Sequence, residues 1–354
     1  PEVAGLRLAR ASAGSLVVID LSAAGRYRHA RRLLDELRAL ARTHLGEEAL
    51  LHRWAMAAAS LAIMLPDGAL KLHRQQQMLQ LLTDAASERA HDHELQLQRA
   101  RTLAAMGDTW MEISLSIARG LYVELASLAA GFPDEPRLRE VQAGKAERLA
   151  VRYGLKGKFH MAGQLYGELM RLVDAHPEEA ALRASRARAA AELASACSRA
   201  GDTESVRFLH ESAAELAARH PGEAEPRRAR TRVSALLAQA DTAAGRRAEA
   251  RALFDEARAL AAALPDDGTR RDEEAAVLGC FAAAWARAGW LDESHRTYVE
   301  LAALGRASPG DDRVRESWKL AAQELLPLVG TGDAPGEFKR LLEADLASTT
   351  AALP

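Results

Sequence analysis

Residues 221–265 read PGEAEPRRARTRVSALLAQADTAAGRRAEARALFDEARALAAALP. The stretch opens and closes on a proline and carries one glycine near its middle, Gly245. Outward from it, prolines stand at 133, 177, 221, 265 and 309, each 44 residues after the last, in the settings FPDE, HPEE, HPGE, LPDD and SPGD. Glycines at 157, 201, 245 and 289 keep the same period. Two interleaved marks at one spacing predict a helix, a glycine turn, a second helix and a proline-acidic turn, repeated. Upstream, Thr43-His44-Leu45-Gly46-Glu47-Glu48 echoes Ala175-His176-Pro177-Glu178-Glu179 without the proline, and Gly25 takes the matching turn. Downstream, the next turn falls at 333, beside Gly332.

Eight units of 44 fill 352 of the 354 residues: 1–44, 45–88, 89–132, 133–176, 177–220, 221–264, 265–308 and 309–352. A chain this long exceeds the size at which one hydrophobic core stops growing, so stacked units are the natural solution. The composition agrees, with 77 alanines against 24 glycines, 12 prolines and 5% aromatic residues, which predicts an all-α fold. Within unit five, helices are expected over 178–199, opened by Glu178 and Glu179, and over 202–219.

Side chains keep register with the marks. Five positions after the turn glycine stands a small or modest residue (Ala30, Ala162, Val206, Ala250, Ser294), and nine after it a large one (Leu34, Tyr166, His210, Phe254, Tyr298). Leu149-Ala150, Leu193-Ala194, Leu237-Ala238 and Phe281-Ala282 precede the glycine at a fixed distance. Large and small residues at constant offsets are what close helix-on-helix packing requires.

Leu237-Ala238, Gly245, Ala250, Phe254, Ala257 and Pro265 resemble the pattern of the tetratricopeptide repeats. The resemblance covers most of the chain and is clearest from 133 to 308. It departs in length, since the usual unit has about 34 residues, and it fits the longer tetratricopeptide-like arrays appended to bacterial kinases and signalling ATPases better. It implies a right-handed α-solenoid of about eight helix pairs, with the first helices lining the concave face. Ser15, Ala59, Glu147, Ala191, Ala235 and Gly279, and Ile19, Ile63, Val151, Ser195, Gln239 and Ala283, would then line a groove that is apolar toward the N-terminal half. A hydrophobic or amphipathic partner segment is the consequence. The lysine and asparagine clamp with which some members hold a partner's C-terminal carboxylate is not available, because the chain has six lysines and no asparagine.

Unit three departs from the pattern. Gly107 comes six residues before the expected turn near Ile113, so Gly107 to Glu112 are expected to extend the second helix or to bulge at the turn. Met56, Met64, Met78, Met106 and Met111 concentrate in units two and three. Met78 takes the large core position, while Met56 and Met111 are candidates for an adaptable binding patch. Trp110 lies in the irregular segment, where an exposed aromatic would anchor a partner. Arg26, Arg28, Arg31, Arg32, Arg38 and Arg42 crowd one helix; Arg28, Arg31, Arg32 and Arg42 share a broad face that Asp35 and Glu36 interrupt, which reads first as a solvated face with intrahelical pairs and second as a contact for an acidic partner or nucleic acid. The candidate partner contacts are therefore Met56, Ile63, Trp110, Met111, Glu147, Val151, Arg28, Arg31 and Arg32.

A formal charge of −2 argues against bulk electrostatic binding of nucleic acid or anionic membrane. No apolar run approaches the length of a membrane span, and no signal-peptide pattern opens the chain, so a cytoplasmic protein is expected. Cys197 and Cys280 lack ligand-like spacing and read as small core residues in a reducing compartment. No phosphate loop, HExxH or GxSxG motif occurs, and Gly154-Leu155-Lys156-Gly157-Lys158 falls on a repeat turn. His91-Asp92-His93-Glu94 has metal-ligand residue types, but it sits between repeats and reads as a helix start. Cys197 and His210 fall at packing offsets and make no catalytic pair.

The expected function is a non-enzymatic scaffold or sensor module, without cofactor or metal, that binds a protein or peptide. Because the chain begins at Pro1, it is read as part of a larger bacterial signalling or defence protein. A ligand-sensing regulatory domain, resembling the repeat arrays of bacterial transcription activators, is the alternative. Self-association through the open ends is a further expectation, since neither terminal unit has an evident polar cap.

Overall fold

Between the glycine and proline marks, the alanine-rich segments form helices throughout a computed structural model that describes residues 2–44, 46–65, 69–265, 269–329 and 336–351. Leu45 and Gly332 lie outside the described residues. The first eight helices are α1 (Glu2–Ala23), α2 (Tyr27–Thr43), α3 (Glu48–Met64), α4 (Ala69–Glu88), α5 (His93–Ile113), α6 (Leu115–Ala130), α7 (Pro136–Leu155) and α8 (Phe159–Ala175). The other eight are α9 (Ala180–Arg199), α10 (Thr203–Arg219), α11 (Ala224–Ala243), α12 (Arg247–Ala262), α13 (Thr269–Arg287), α14 (Leu291–Ala307), α15 (Asp312–Val329) and α16 (Gly336–Ala351). The described residues include no strand, so the chain is all-α.

The turns explain the punctuation. Gly25, Gly157, Gly201, Gly245 and Gly289 all have φ between 70° and 78°, a left-handed conformation that costs glycine nothing. In each, the glycine N–H donates three residues back (Gly245 to Thr242, 3.0 Å), and the next N–H donates five back (Arg246 to Asp241, 2.8 Å). That pair of bonds is the Schellman closure, made five times in one form. The proline turns are as regular: the Glu135, Glu179, Glu223 and Asp311 N–H groups each donate to the carbonyl of the residue before the proline at 3.1 Å. Proline at the second turn position has its φ already set.

The chain divides into two units, residues 1–152 with 174–182 and residues 153–173 with 183–354. In the first, α1 packs on α2 and α3, α3 on α4 and α5, and α5 on α6, while α2 and α4 also touch the following odd helix. In the second, α11, α13 and α15 stack on one another, with α10, α12 and α14 against the odd helix that follows each. Both units therefore show helix pairs stacked in series. The small positions Ala30, Ala162, Val206, Ala250 and Ser294 are buried, as are the large ones Leu34, Tyr166, Phe254 and Tyr298. His210 is half-buried, 3.1 Å from the Ser234 hydroxyl and 3.7 Å from Glu256.

Three sequence expectations are corrected. Gly107 to Glu112 neither extend the second helix nor bulge. They form the last turns of the first helix of the pair, α5, which runs to Ile113 and turns at Ser114, whose N–H donates to the Trp110 carbonyl at 2.6 Å. Ser15, Ala59, Ala191 and Ala235 do not line an open groove: they are buried, because small residues on the first helices let neighbours approach closely. Cys280 is exposed on α13 rather than part of the core.

Candidate functional site

A cavity opens on the surface of the first unit, between α2, α3 and α4. It has a volume of about 220 Å³ and is lined by Tyr27, Arg28, Arg31, Leu61, Leu65, Arg74 and Met78. Leu61, Leu65 and Met78 are buried and form an apolar floor. Arg28 is exposed, and Tyr27, Arg31 and Arg74 are half-buried at the wall. Arg31 donates to the Gln77 side-chain oxygen at 3.3 Å, and its Nε lies 3.5 Å from Asp35. That Nε is buried with no hydrogen-bond acceptor.

The repeat explains why space opens here. Gln75 is buried and donates to the Ala62 carbonyl at 3.1 Å, as Ser294 donates to the Ala282 carbonyl at 2.8 Å. Ala62 and Ala282 are a whole number of periods apart, whereas Gln75 and Ser294 fall one residue short. Helix α4 is thus advanced by one residue, and a glutamine fills a seat that is Ala30, Ala162 or Ala250 elsewhere. A longer side chain therefore sits between the helices, and Arg74 beside it lines the cavity.

Of the sequence candidates, Arg28 and Arg31 meet at this cavity. Arg32 does not: its side chain is 87% exposed and 3.8 Å from Glu36 on the same helix. Ile63 is exposed on α3, and Met56 is half-buried there. Trp110 and Met111 are half-buried on α5, not exposed anchors, and Glu147 and Val151 are half-buried on α7. Two ion pairs bracket this second group, Arg148 to Asp108 at 3.1 Å and Arg152 with Glu112. Sequence reading missed Tyr27, Leu61, Leu65 and Arg74. The signal that would have found Arg74 is its position in unit two, where other units carry a small residue.

A second overlooked group is Lys145 on α7. It is fully buried, and its ammonium donates to Asp108 at 2.8 Å. Burial pushes its amine down from 10.5 to about 8, although Asp108 opposes the fall. In later units the same position holds Ala189, Val233 and Val277, all buried.

Inter-repeat arginines form a further pattern, with Arg7 bound to Glu47, Arg139 to Glu179 and Arg183 to Glu223. Each carboxylate stands 40 residues after its arginine, in the turn that opens the next unit. Arg139 also donates to the Pro133 carbonyl, and Arg227 likewise to that of Pro221. These side chains tie one unit to the next.

The metal-like run His91 to Glu94 is used structurally. Asp92 accepts from the Glu94 and Leu95 N–H groups at the start of α5 and lies 2.8 Å from His52, while His93 is 3.4 Å from Glu135. His176, Glu178 and Glu179 are close enough to share a cation, but Glu179 already receives Arg139. Burial pushes the Cys197 thiol up to about 11, opposite to what an activated nucleophile requires. No helix among the described residues is long and apolar enough to cross a membrane.

No family model matches the chain, and no curated protein matches it.

Proposed function

We propose that the chain is a non-catalytic helical-repeat module, a long tetratricopeptide-like array, that binds a protein or peptide partner within a larger bacterial signalling or defence protein. The observation that carries this reading is the recurrence of one helix pair, with one turn geometry, at a 44-residue period. Such stacks present side chains of successive units in rows, and rows suit an extended or helical partner segment. Ile63, exposed at 49%, and half-buried Val151 in the first unit, and half-buried Ser195 and Gln239 in the second, occupy equivalent repeat positions that would supply such a row within each unit. We place the module in the cytoplasm, supported by two free cysteines.

Affinity capture from the native host with wild-type chain, Arg28→Glu/Arg31→Glu/Arg32→Glu and Trp110→Ala tests the reading. A specific protein partner is expected with wild type and is expected to be lost with at least one variant. Capture of no protein, together with stabilisation by a small metabolite, would contradict it. Equal capture by all three would reject these residues as the contact.

The cavity of α2, α3 and α4 favours a second reading, a small-ligand-sensing regulatory domain, because it combines an apolar floor with converging polar groups. A thermal-shift screen separates the two.

A further inference from the structure

We propose that the cavity between α2, α3 and α4 binds a small organic anion that has one apolar body and one carboxylate or phosphate group. The proposal rests on the ligand-sensing reading and names its class of ligand. Three arginines, Arg28, Arg31 and Arg74, line a space whose wall includes no acidic residue. Several other arginines of this unit are matched by acids, as in Arg7 with Glu47, Arg99 with Glu124 and Arg139 with Glu179. At the cavity, Arg28 and Arg74 have no carboxylate partner among the described residues, and Arg31 has only Asp35, at 3.5 Å.

Three like charges around one space repel one another, and an anion between them removes that cost. Guanidinium forks match the planar carboxylate and the phosphate oxygens, each by paired N–H donors.

The floor selects the rest of the molecule. Leu61, Leu65 and Met78 offer apolar contact, and the Tyr27 ring offers a face for a flat or aliphatic body. The volume, about 220 Å³, lies below the roughly 300–1,000 Å³ of sites for drug-sized ligands. A bare inorganic ion would leave the floor uncovered, and a long chain would not fit.

Differential scanning fluorimetry and calorimetry on the full chain test this at constant ionic strength. The probes are benzoate, hexanoate and phenyl phosphate, with benzamide, benzylamine and inorganic phosphate for comparison. Saturable stabilisation is expected from the organic anions alone, and the better of benzoate and phenyl phosphate identifies the head group. Arg31→Gln/Arg74→Gln is expected to weaken binding at least tenfold, while Arg32→Gln, on the same helix but turned to solvent, leaves it unchanged. Equal response to benzamide or benzylamine would overturn the anion class and leave ligand sensing standing. Equal response to inorganic and phenyl phosphate, in wild type and double variant alike, would reduce the effect to screening and overturn the proposal. Binding of none of the probes would overturn the anion class, and a wider metabolite screen without a hit would then remove the sensing reading as well.

Discussion

Lys145 lies over Gly107: its Cε stands 2.5 Å, and its Nζ 2.7 Å, from the place a β-carbon on Gly107 would occupy. The glycine is therefore kept for the space it leaves within α5, not for a turn. Alanine in a helix is worth about 1 kcal/mol over glycine, but here it would push a fully buried ammonium away from Asp108. Gly107→Ala is predicted to destabilise the wild-type protein by about 1–3 kcal/mol and to stabilise the Lys145→Ala protein by about 1 kcal/mol. Urea denaturation of the four proteins in the cycle measures the change of sign. A stabilising Gly107→Ala in both backgrounds would refute the contact.

The same lysine makes stability depend on pH. Its amine titrates at 10.5 when exposed and about 8 when folded, so between these values the unfolded chain binds more protons. Stability must rise with pH across that window, and the cost of burying the charge is complete below it. The difference between wild type and Lys145→Met is predicted to change by about 3 kcal/mol from pH 7.5 to pH 10.5, in favour of wild type. Denaturation at four pH values checks both sign and size.

Arg183 donates to Glu223 at 2.9 and 3.0 Å from a nearly buried guanidinium. Glu223→Gln leaves that charge without its carboxylate, and a loss of about 1–3 kcal/mol is expected. Glu178, 70% exposed, offers a comparison: Glu178→Gln should stay within about 0.5 kcal/mol of wild type.

Gly245→Ala places a β-carbon at φ 74° and is predicted to cost about 1–2 kcal/mol. Gly222→Ala, where φ is not positive and nothing lies within 4 Å, should be nearly neutral. Thermal unfolding of the two variants separates backbone strain from loss of a glycine as such.

These contrasts mark what could be read from the amino acids alone. Gly25, Gly157, Gly201, Gly245 and Gly289 were legible because a left-handed turn demands one residue type at one place. Helices α9 and α10 begin and end within two residues of the expected spans for the same reason. Gly107 misled because glycine also serves close approach, and its cause, Lys145, is in another helix. The arginine ties escaped notice, although Arg139, Arg183 and Arg227 keep the period, because attention to apolar offsets passes over charged residues. The cavity depended on a one-residue advance of α4, which shows only when Gln75 and Ser294 are seen making equivalent bonds. Cys280 was placed in the core by residue type, but its position on α13 faces outward.

Amide hydrogen exchange along the whole chain tests the 44-residue helix pair most directly. Fast exchange is predicted to recur at 44-residue spacing, in the first helical turns that follow Gly157, Gly201, Gly245 and Gly289 and again around Pro133, Pro177, Pro221 and Pro309, with slow exchange in the helices between. Protection that runs unbroken through these turns, or fast segments without that period, would contradict it.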